Sequence, residues 1–566
     1  MKFVTLLSLM FILAAASVFA TTDPIPELSQ PLVPANAGPG SAAFTLTVHG
    51  AGFASGAVVN WNGSPRVTTF KSAVKVTAAI LASDIASPGT AIVTVTNPNG
   101  TTSNAAYFDI TKPTALIGWM AKTAYSAGPY GIGAATADFN GDGKLDLAVV
   151  DSAYVGGNII SILLGNGDGT FQAGGTYPAG NYYMAVGDFN NDGKSDLVVT
   201  NLPSAGGTGA ASILLGNGDG TFQSARSVQV GVHPSLPAVG DFNRDGKLDV
   251  AVPNVSDNTI SILFGNGDGT VHPQKTYATG RAPYDVVSAD FNGDGKLDLA
   301  TSNDNDGTVS VLIGNGDGTF KAPLAYDAGV GPFALVATDF NADGKLDLGV
   351  ANASGAVSVL TGNGDGTFQP MTNYQAGITP DSVAFGDFNG DGRMDLAVGN
   401  FGSGSVSILL GNGDGTFQTK LDYPAGTYPF QIVSGDFNGD GRLDLVFAND
   451  VMTSSLSVLL QSSLALNKTA VAFAAQKVGT ASSPKNVVLK NLGSTDVTFT
   501  GIIVTGADPS DFTQTNTCPA SLAAGASCTV TVVFTPQAKG TRTAAITVSD
   551  DALGETQGAR LSGVGD

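Results

Sequence analysis

The residues with the most chemistry in this chain are aspartates, and they recur in a fixed pattern. The nonamer DFNGDGKLD begins at Asp138, and close copies begin at Asp188, Asp241, Asp290, Asp339, Asp387 and Asp436. Each places oxygen donors at alternate positions: carboxylates at one, five and nine, an amide at three, and a main-chain carbonyl at seven. A short loop with that donor set suits calcium, which takes about six to eight oxygens in a flexible geometry. In the first loop the candidate ligands are Asp138, Asn140, Asp142, Lys144 through its carbonyl, and Asp146; in the second, Asp188, Asn190, Asp192, Lys194 and Asp196. The third offers Asp241, Asn243, Asp245, Lys247 and Asp249, and the fourth Asp290, Asn292, Asp294, Lys296 and Asp298. The fifth offers Asp339, Asn341, Asp343, Lys345 and Asp347, the sixth Asp387, Asn389, Asp391, Arg393 and Asp395, and the seventh Asp436, Asn438, Asp440, Arg442 and Asp444. Glycine at the sixth position lets the chain turn around an ion. Three carboxylates gathered without a cation repel one another, so the pattern implies one calcium per loop, about seven ions in all.

Two other readings of the nonamer compete. A helical EF-hand loop requires a bidentate glutamate at position twelve, but Val149, Val199, Val252, Thr301, Val350, Val398 and Phe447 stand there, in strand-like runs. A plain polar turn explains the glycines, yet a turn alone does not demand an aspartate at position nine seven times over. The second recurring motif, GNGDGTF, as at Gly165 and Gly216, is read differently: its Asn-Gly and Asp-Gly pairs are hairpin signals.

The elements that carry the loops follow from the period. The loops are spaced by 50, 53, 49, 49, 48 and 49 residues, about one four-stranded propeller blade each. Within a unit a short run leads into the Asp loop, an apolar run such as Leu197 to Thr200 leaves it, a third strand follows, and GNGDGTF turns into a fourth. The residue before each loop is small (Ala137, Gly187, Gly240, Ala289, Thr338, Gly386, Gly435), as crowding around a central axis requires. The seventh unit stops at Gln461 without its GNGDGTF, while an orphan segment, Trp119 to Gly128, precedes the first loop. That segment is expected to complete the last blade and close the ring. The expected fold is therefore all-β: a seven-bladed β-propeller over residues 117–462, flanked by two immunoglobulin-like β-sandwiches.

The nonamer repeat resembles the FG-GAP/VCBS family, related to the propeller of integrin α subunits. The resemblance implies calcium in the loops between the first and second strands, all on one face. It implies ligands on the opposite face, formed by the loops joining strand four to the next strand one and strand two to strand three. On that face lie Tyr130, Tyr182, Tyr183, His233, Arg281 and Tyr284, together with Phe333, Asp381, Tyr428 and Phe430. A residue following the proline of a Gly-x-x-Pro turn can instead wedge between blades, which suits Phe333 and Phe430. Tyr182 and Tyr183 depart from that turn pattern and are expected to be free for a ligand.

Residues 31–111 alternate as strands between Gly, Pro and Asn turns, and HGAGF from His49 with VTNPNGTTS ending at Ser103 resembles an IPT/TIG domain. Residues 463–566 repeat that logic and resemble an ASH/Hydin-like domain. Residues 1–20 read as a secretory signal, with Lys2, an apolar run and Val18-Phe19-Ala20; the apolar run is short for a membrane anchor. No second long apolar run follows, so no membrane span is expected in the mature chain, which is placed in a secreted or cell-surface setting. Cys518 and Cys528, the only cysteines, are expected to pair as a disulfide in such a setting, with a metal pair as the alternative. The formal charge of −21 argues against nucleic acid, which calls for clustered Lys and Arg.

Three function classes remain. The leading one is an extracellular adhesion or ligand-binding protein with a protein or glycan partner. A carbohydrate-active enzyme or lectin on the propeller is the alternative, and a passive spacer is the third. No HExxH or GxSxG motif occurs, neither Glu27 nor Glu555 falls in the repeat, and His49, His233 and His272 are scattered, so no enzyme is expected.

Overall fold

Each repeat folds into its own antiparallel sheet because its apolar residues come consecutively, which requires cover on both faces. In a computed structural model, the second strand of the first repeat, Asp146–Asp151, is buried along its whole length, as are its counterparts Asp298–Asn303 and Asp395–Asn400. The structure describes residues 24–87, 89–111, 119, 123–128, 130–151, 159–202, 207–451, 456–461, 464–468, 470–492, 496–550 and 556–566. These contain strands and short 3-10 turns such as Ala82–Ile85, and no α-helix. None of their helices is long and apolar enough to cross a membrane. The expected signal, residues 1–20, lies outside the described residues.

Repeats one to six each form a four-stranded sheet with strands in chain order. Their first strands, beginning with Gly131–Ala137, Met184–Gly187 and Ala238–Gly240, touch one another in sequence. The contacts continue through Pro283–Ala289, Pro332–Thr338, Pro380–Gly386 and Pro429–Gly435, which returns to Gly131–Ala137. The seventh sheet is completed from the other end of the repeat region. Its order is Thr123–Tyr125, Leu456–Leu459, Asp444–Asn449, Pro429–Gly435, with Thr123 opposite Val458 and Tyr125 opposite Leu456. Trp119 bridges Gln461 and packs its ring against Phe388 and Tyr423.

The small residue before each loop has a specific neighbour. A Cβ added at Gly187, Gly240, Gly386 or Gly435 would meet the Cδ1 of Leu248, Leu297, Leu443 or Leu145 at 2.9, 2.6, 2.3 and 2.6 Å. In each case the leucine is the eighth loop residue of the next sheet, and Leu145 belongs to the first sheet while Gly435 belongs to the seventh. The constraint is thus packing between adjacent sheets. The GNGDGT hairpin adds a polar link of the same kind: the amides of Gly220, Gly269, Gly318 and Gly366 donate to the carbonyls of Phe139, Phe189, Phe242 and Phe291 in the preceding sheet. Gly169 of the first sheet donates to Phe437 of the seventh at 2.9 Å. The seventh sheet has no such hairpin, and the Gln461 side chain replaces it, donating to Phe388 O and Leu443 O at 2.9 Å each.

The flanking units each consist of two sheets around one buried core. In the N-terminal unit the sheets have four and five strands, with Trp61, Phe108 and Ile85 among the buried side chains. Its first strand, Glu27–Val33, starts before the expected boundary at 31, because Pro31 interrupts a run that still pairs with Phe44–Ala51 on either side of an irregularity. The C-terminal unit is built likewise around Phe512, Phe534 and Val530. Cys518 and Cys528 form a disulfide there, which rules out the metal-pair reading.

Candidate metal loops and the opposite mouth

Each nonamer joins the first strand of its sheet to the second, and the strand ends pair across its base, Ala137 with Asp146 and Gly435 with Asp444. All seven loops therefore leave the sheets at the same end. In the first loop Asp138 Oδ1 accepts from the amides of Gly141 and Asp142 at 2.7 and 3.2 Å, and Oδ2 from Gly143 at 2.7 Å. Asn140 Oδ1 accepts from the Asp142 amide, and Asp142 Oδ1 from the Lys144 amide. The sixth position has positive φ in every loop, from Gly143 at 81° to Gly441 at 81°, which only glycine adopts without strain. Lys144 and Asp142 approach to 3.7 Å on the surface, a contact of little energetic weight.

The ninth-position aspartate does something the sequence reading did not foresee. Asp146 Oδ2 accepts from the Phe139 amide at 2.9 Å and Oδ1 from the Gly165 amide at 2.7 Å, with the side chain fully buried. The same pair recurs at Asp196, Asp249, Asp298, Asp347, Asp395 and Asp444. Each of these aspartates clamps the start of its own loop to the end of the third strand, reason enough for an aspartate there seven times. The available signal was the glycine of GNGDGT, which follows every clamp except the last by 15 to 20 residues.

Burial, followed by the neighbouring carboxylates, pushes these groups up: Asp298 and Asp347 to about 7 and Asp249 to about 8, against 3.8 for a free carboxyl. The donor set of each loop, three carboxylates with one amide and one carbonyl, has the chemistry of a calcium site. Most side-chain oxygens are turned onto the loop's own amides, while Asp241 Oδ2 also accepts from the Ile25 amide and Asp387 Oδ2 from Asn36 Nδ2. Among the described residues no group of three or more His, Cys, Asp or Glu side chains is gathered closely enough to hold a metal. In GNGDGT, Asp168 is exposed and accepts from the amide and hydroxyl of Thr170, which is hairpin chemistry and holds its carboxyl below the usual range.

At the opposite end the predicted aromatic residues do come together, but not as expected. Tyr182 and Tyr183 are 6% and 3% exposed, packed on Ile132 with Leu236, Tyr284 and Phe430 around them. The expectation that they stand free is wrong: lacking the Gly-x-x-Pro turn, this loop folds its two rings inward over the ends of the first strands. Tyr182 and Tyr284 share a hydrogen bond between hydroxyls at 2.8 Å, and His233 Nε2 lies 3.4 Å from the Tyr182 hydroxyl. Tyr183 stacks on Phe430, and Tyr284 meets Phe333 edge-on. Tyr130 and His233 both have positive φ, 57° and 59°. Arg281 is exposed and paired with Asp306 at 2.6 Å, and Tyr428 is 48% exposed. Asp381 lies among these residues with its Oδ1 buried without a hydrogen-bond partner, and burial pushes its carboxyl up to about 7.

The model of the FG-GAP-like repeat matches six times, over residues 138–199, 188–252, 241–301, 290–350, 339–398 and 387–447, which together span more than half of the 566 residues. The chain belongs to the FG-GAP-like repeat family. Each match starts on one Asp loop and runs through the next, so the six FG-GAP-like matches span all seven nonamers. Residues 457–557 match the ASH domain (Abnormal spindle-like microcephaly-associated, ASPM-SPD-2-Hydin). No curated protein matches the chain. Among solved structures, a functionally unknown protein from Desulfotomaculum acetoxidans is 12% identical with a TM-score of 0.40, covering 63% of this chain and 98% of its own. A periplasmic gluconolactonase from Pseudomonas aeruginosa is 15% identical with a TM-score of 0.41, covering 67% of this chain and 96% of its own. The ASH/PapD-like domain of human CEP192 is 21% identical with a TM-score of 0.15, covering 18% of this chain and 85% of its own.

Proposed function

We propose that this FG-GAP-like protein is an exported, calcium-loaded seven-bladed propeller flanked by two immunoglobulin-like units, and that it binds an extracellular protein or glycan. The observation that carries the reading is the unlike chemistry of the two ends. One end holds seven oxygen-rich loops, several of them covered by the N-terminal unit. The other gathers Tyr182, Tyr284, His233 and Asp381, whose buried Oδ1 lacks a partner, with Tyr428 and Arg281 on the rim. Aromatic and arginine side chains concentrate binding energy, and a tyrosine offers apolar area and a hydrogen bond together. Calcium in seven loops offsets the acidity that the repeats accumulate. At an extracellular affinity of about 10⁻⁴ M, millimolar calcium stabilises each loop by roughly 1.4 kcal/mol.

The test is a screen against glycans and matrix proteins run with calcium and with chelator, alongside elemental analysis of the dialysed protein. About seven ions per chain and binding that Tyr428→Ala or Arg281→Ala weakens are expected. Two ions or fewer would end the calcium reading, and binding indifferent to both variants would end the assignment of the face.

A further inference from the structure

The N-terminal unit is seated on the Asp-loop end of the ring, and the seat leaves a chamber beneath it. The Ile25 amide donates to Asp241 Oδ2 at 3.0 Å, and Asn36 Nδ2 donates to Asp387 Oδ2 at 2.9 Å and also to the Gly390 carbonyl. Ala35 packs into the core shared by sheets five and six, and Tyr107 into the core shared by sheets one and seven. The cavity enclosed between this unit and the first strands measures about 480 Å³. Its walls come from five sheets, through Thr136, Val287, Val336, Val383 and Val433. Two further lining residues, Asn104 and Ala105, are exposed, so the chamber opens to solvent beside them. That rim is held in place: Asn104 Oδ1 accepts from the Leu28 amide at 2.7 Å, and its Nδ2 donates to Leu28 O at 3.2 Å.

The lining is mostly aliphatic, with a few polar groups turned to one space. Tyr107 and Ser434 line the chamber, and their hydroxyls make no hydrogen bond among the described residues. Glu27 and Asp109 line it from the N-terminal unit; Ser288 of sheet four donates to Glu27 Oε1 at 3.4 Å, and Thr90 to Asp109 Oδ1 at 3.2 Å. Each carboxyl has a second oxygen to offer. A carboxyl keeps acceptor capacity whether or not it carries a proton, so both recognise a hydrogen-bond donor in either state. Among the described lining residues there is no Lys, Arg or His, and an anion would find no positive charge here. Small-molecule sites are typically about 300–1,000 Å³, apolar for the most part, with a few polar groups that fix orientation. The chamber has that size and that lining.

We propose that the chamber binds a small molecule with an apolar body and hydroxyl or amino donors, and that it rejects carboxylates and phosphates. The site belongs to neither unit alone, because the acceptors Glu27 and Asp109 come from the N-terminal unit and the apolar wall from the sheets. It is separate from the ligand face at the tyrosine end, and it needs no metal in the loops.

The test is ligand-observed NMR of the full chain with cyclohexanol, cyclohexylamine and cyclohexanecarboxylate, three probes that share one apolar body. The alcohol and the amine are expected to bind and the carboxylate to stay free. Tyr107→Phe removes only the unbonded hydroxyl; it should keep the native Tm and weaken the alcohol by about two- to tenfold, the loss of one hydrogen bond. Ser434→Leu fills the chamber from the opposite wall and should abolish binding of both, with Tm showing that the chain stays folded. Equal binding of the carboxylate would overturn the ligand class. A native chain that binds neither the alcohol nor the amine, or binding that both variants leave unchanged, would overturn the site.

Discussion

Replacing Gln461 by alanine strikes the one sheet that the repeat does not complete by itself. The Gln461 side chain is 2% exposed and donates to Phe388 O and Leu443 O at 2.9 Å, where other sheets use a hairpin amide. Alanine leaves two buried carbonyls without these donors, at about 1–3 kcal/mol each, so the variant should lose roughly 2–6 kcal/mol. Unfolding entropy of about 2.1 cal/mol/K per residue over a repeat region of about 345 residues is roughly 0.7 kcal/mol/K, which converts that loss to about 3–9 °C in Tm. Calorimetry of the full chain reads the shift, with the exposed Gln418→Ala as the control. Hydrogen exchange should quicken first in Thr123–Tyr125 and Leu456–Leu459, the strands that Gln461 and Trp119 hold together. A Tm within about 1 °C of the native chain, with unchanged exchange in those strands, would show that Gln461 does not close the ring.

Two further perturbations bear on the opposite mouth. Tyr182→Ala with Tyr183→Ala empties a buried pair whose rings lie 4.3 Å apart, and large-to-small changes of this kind cost about 3–5 kcal/mol each; a clear fall in Tm is expected, and an unchanged one would mean the rings are not buried in solution. Burial pushes the Asp381 carboxyl from 3.8 up to about 7, so the charge-linked cost of burying it is absent well below pH 4 and grows as pH rises towards 7. Asp381→Asn should flatten that part of the urea-midpoint profile; the same slope in both proteins would place the carboxyl in water.

The local half of this architecture was legible in the sequence. Period, strand runs and loop positions could be read because every repeat shows the same pattern of apolar residues, glycines and aspartates at the same spacing. The completing strand at Trp119 was legible for a related reason: a missing outer strand at one end of an array and an orphan at the other are both departures from a period. The ninth aspartate has a second role that its position alone did not show. A carboxylate that clamps two amides and one that does not leave the same letter in the chain, and only the positions of Phe139 N and Gly165 N reveal the clamp.

What the tertiary structure alone decided was which side chains from different sheets and units meet. Leu145 fills the space left by Gly435, Asn36 reaches Asp387, Arg442 reaches the Leu492 carbonyl, and Tyr183 turns inward onto Phe430. Only the Leu145–Gly435 contact recurs with the repeat, and there too the letters do not say which two positions meet. Each depends on how the sheets pack side by side and on which end of them the N-terminal unit covers, and that arrangement is a property of packed surfaces rather than of any local run of residues.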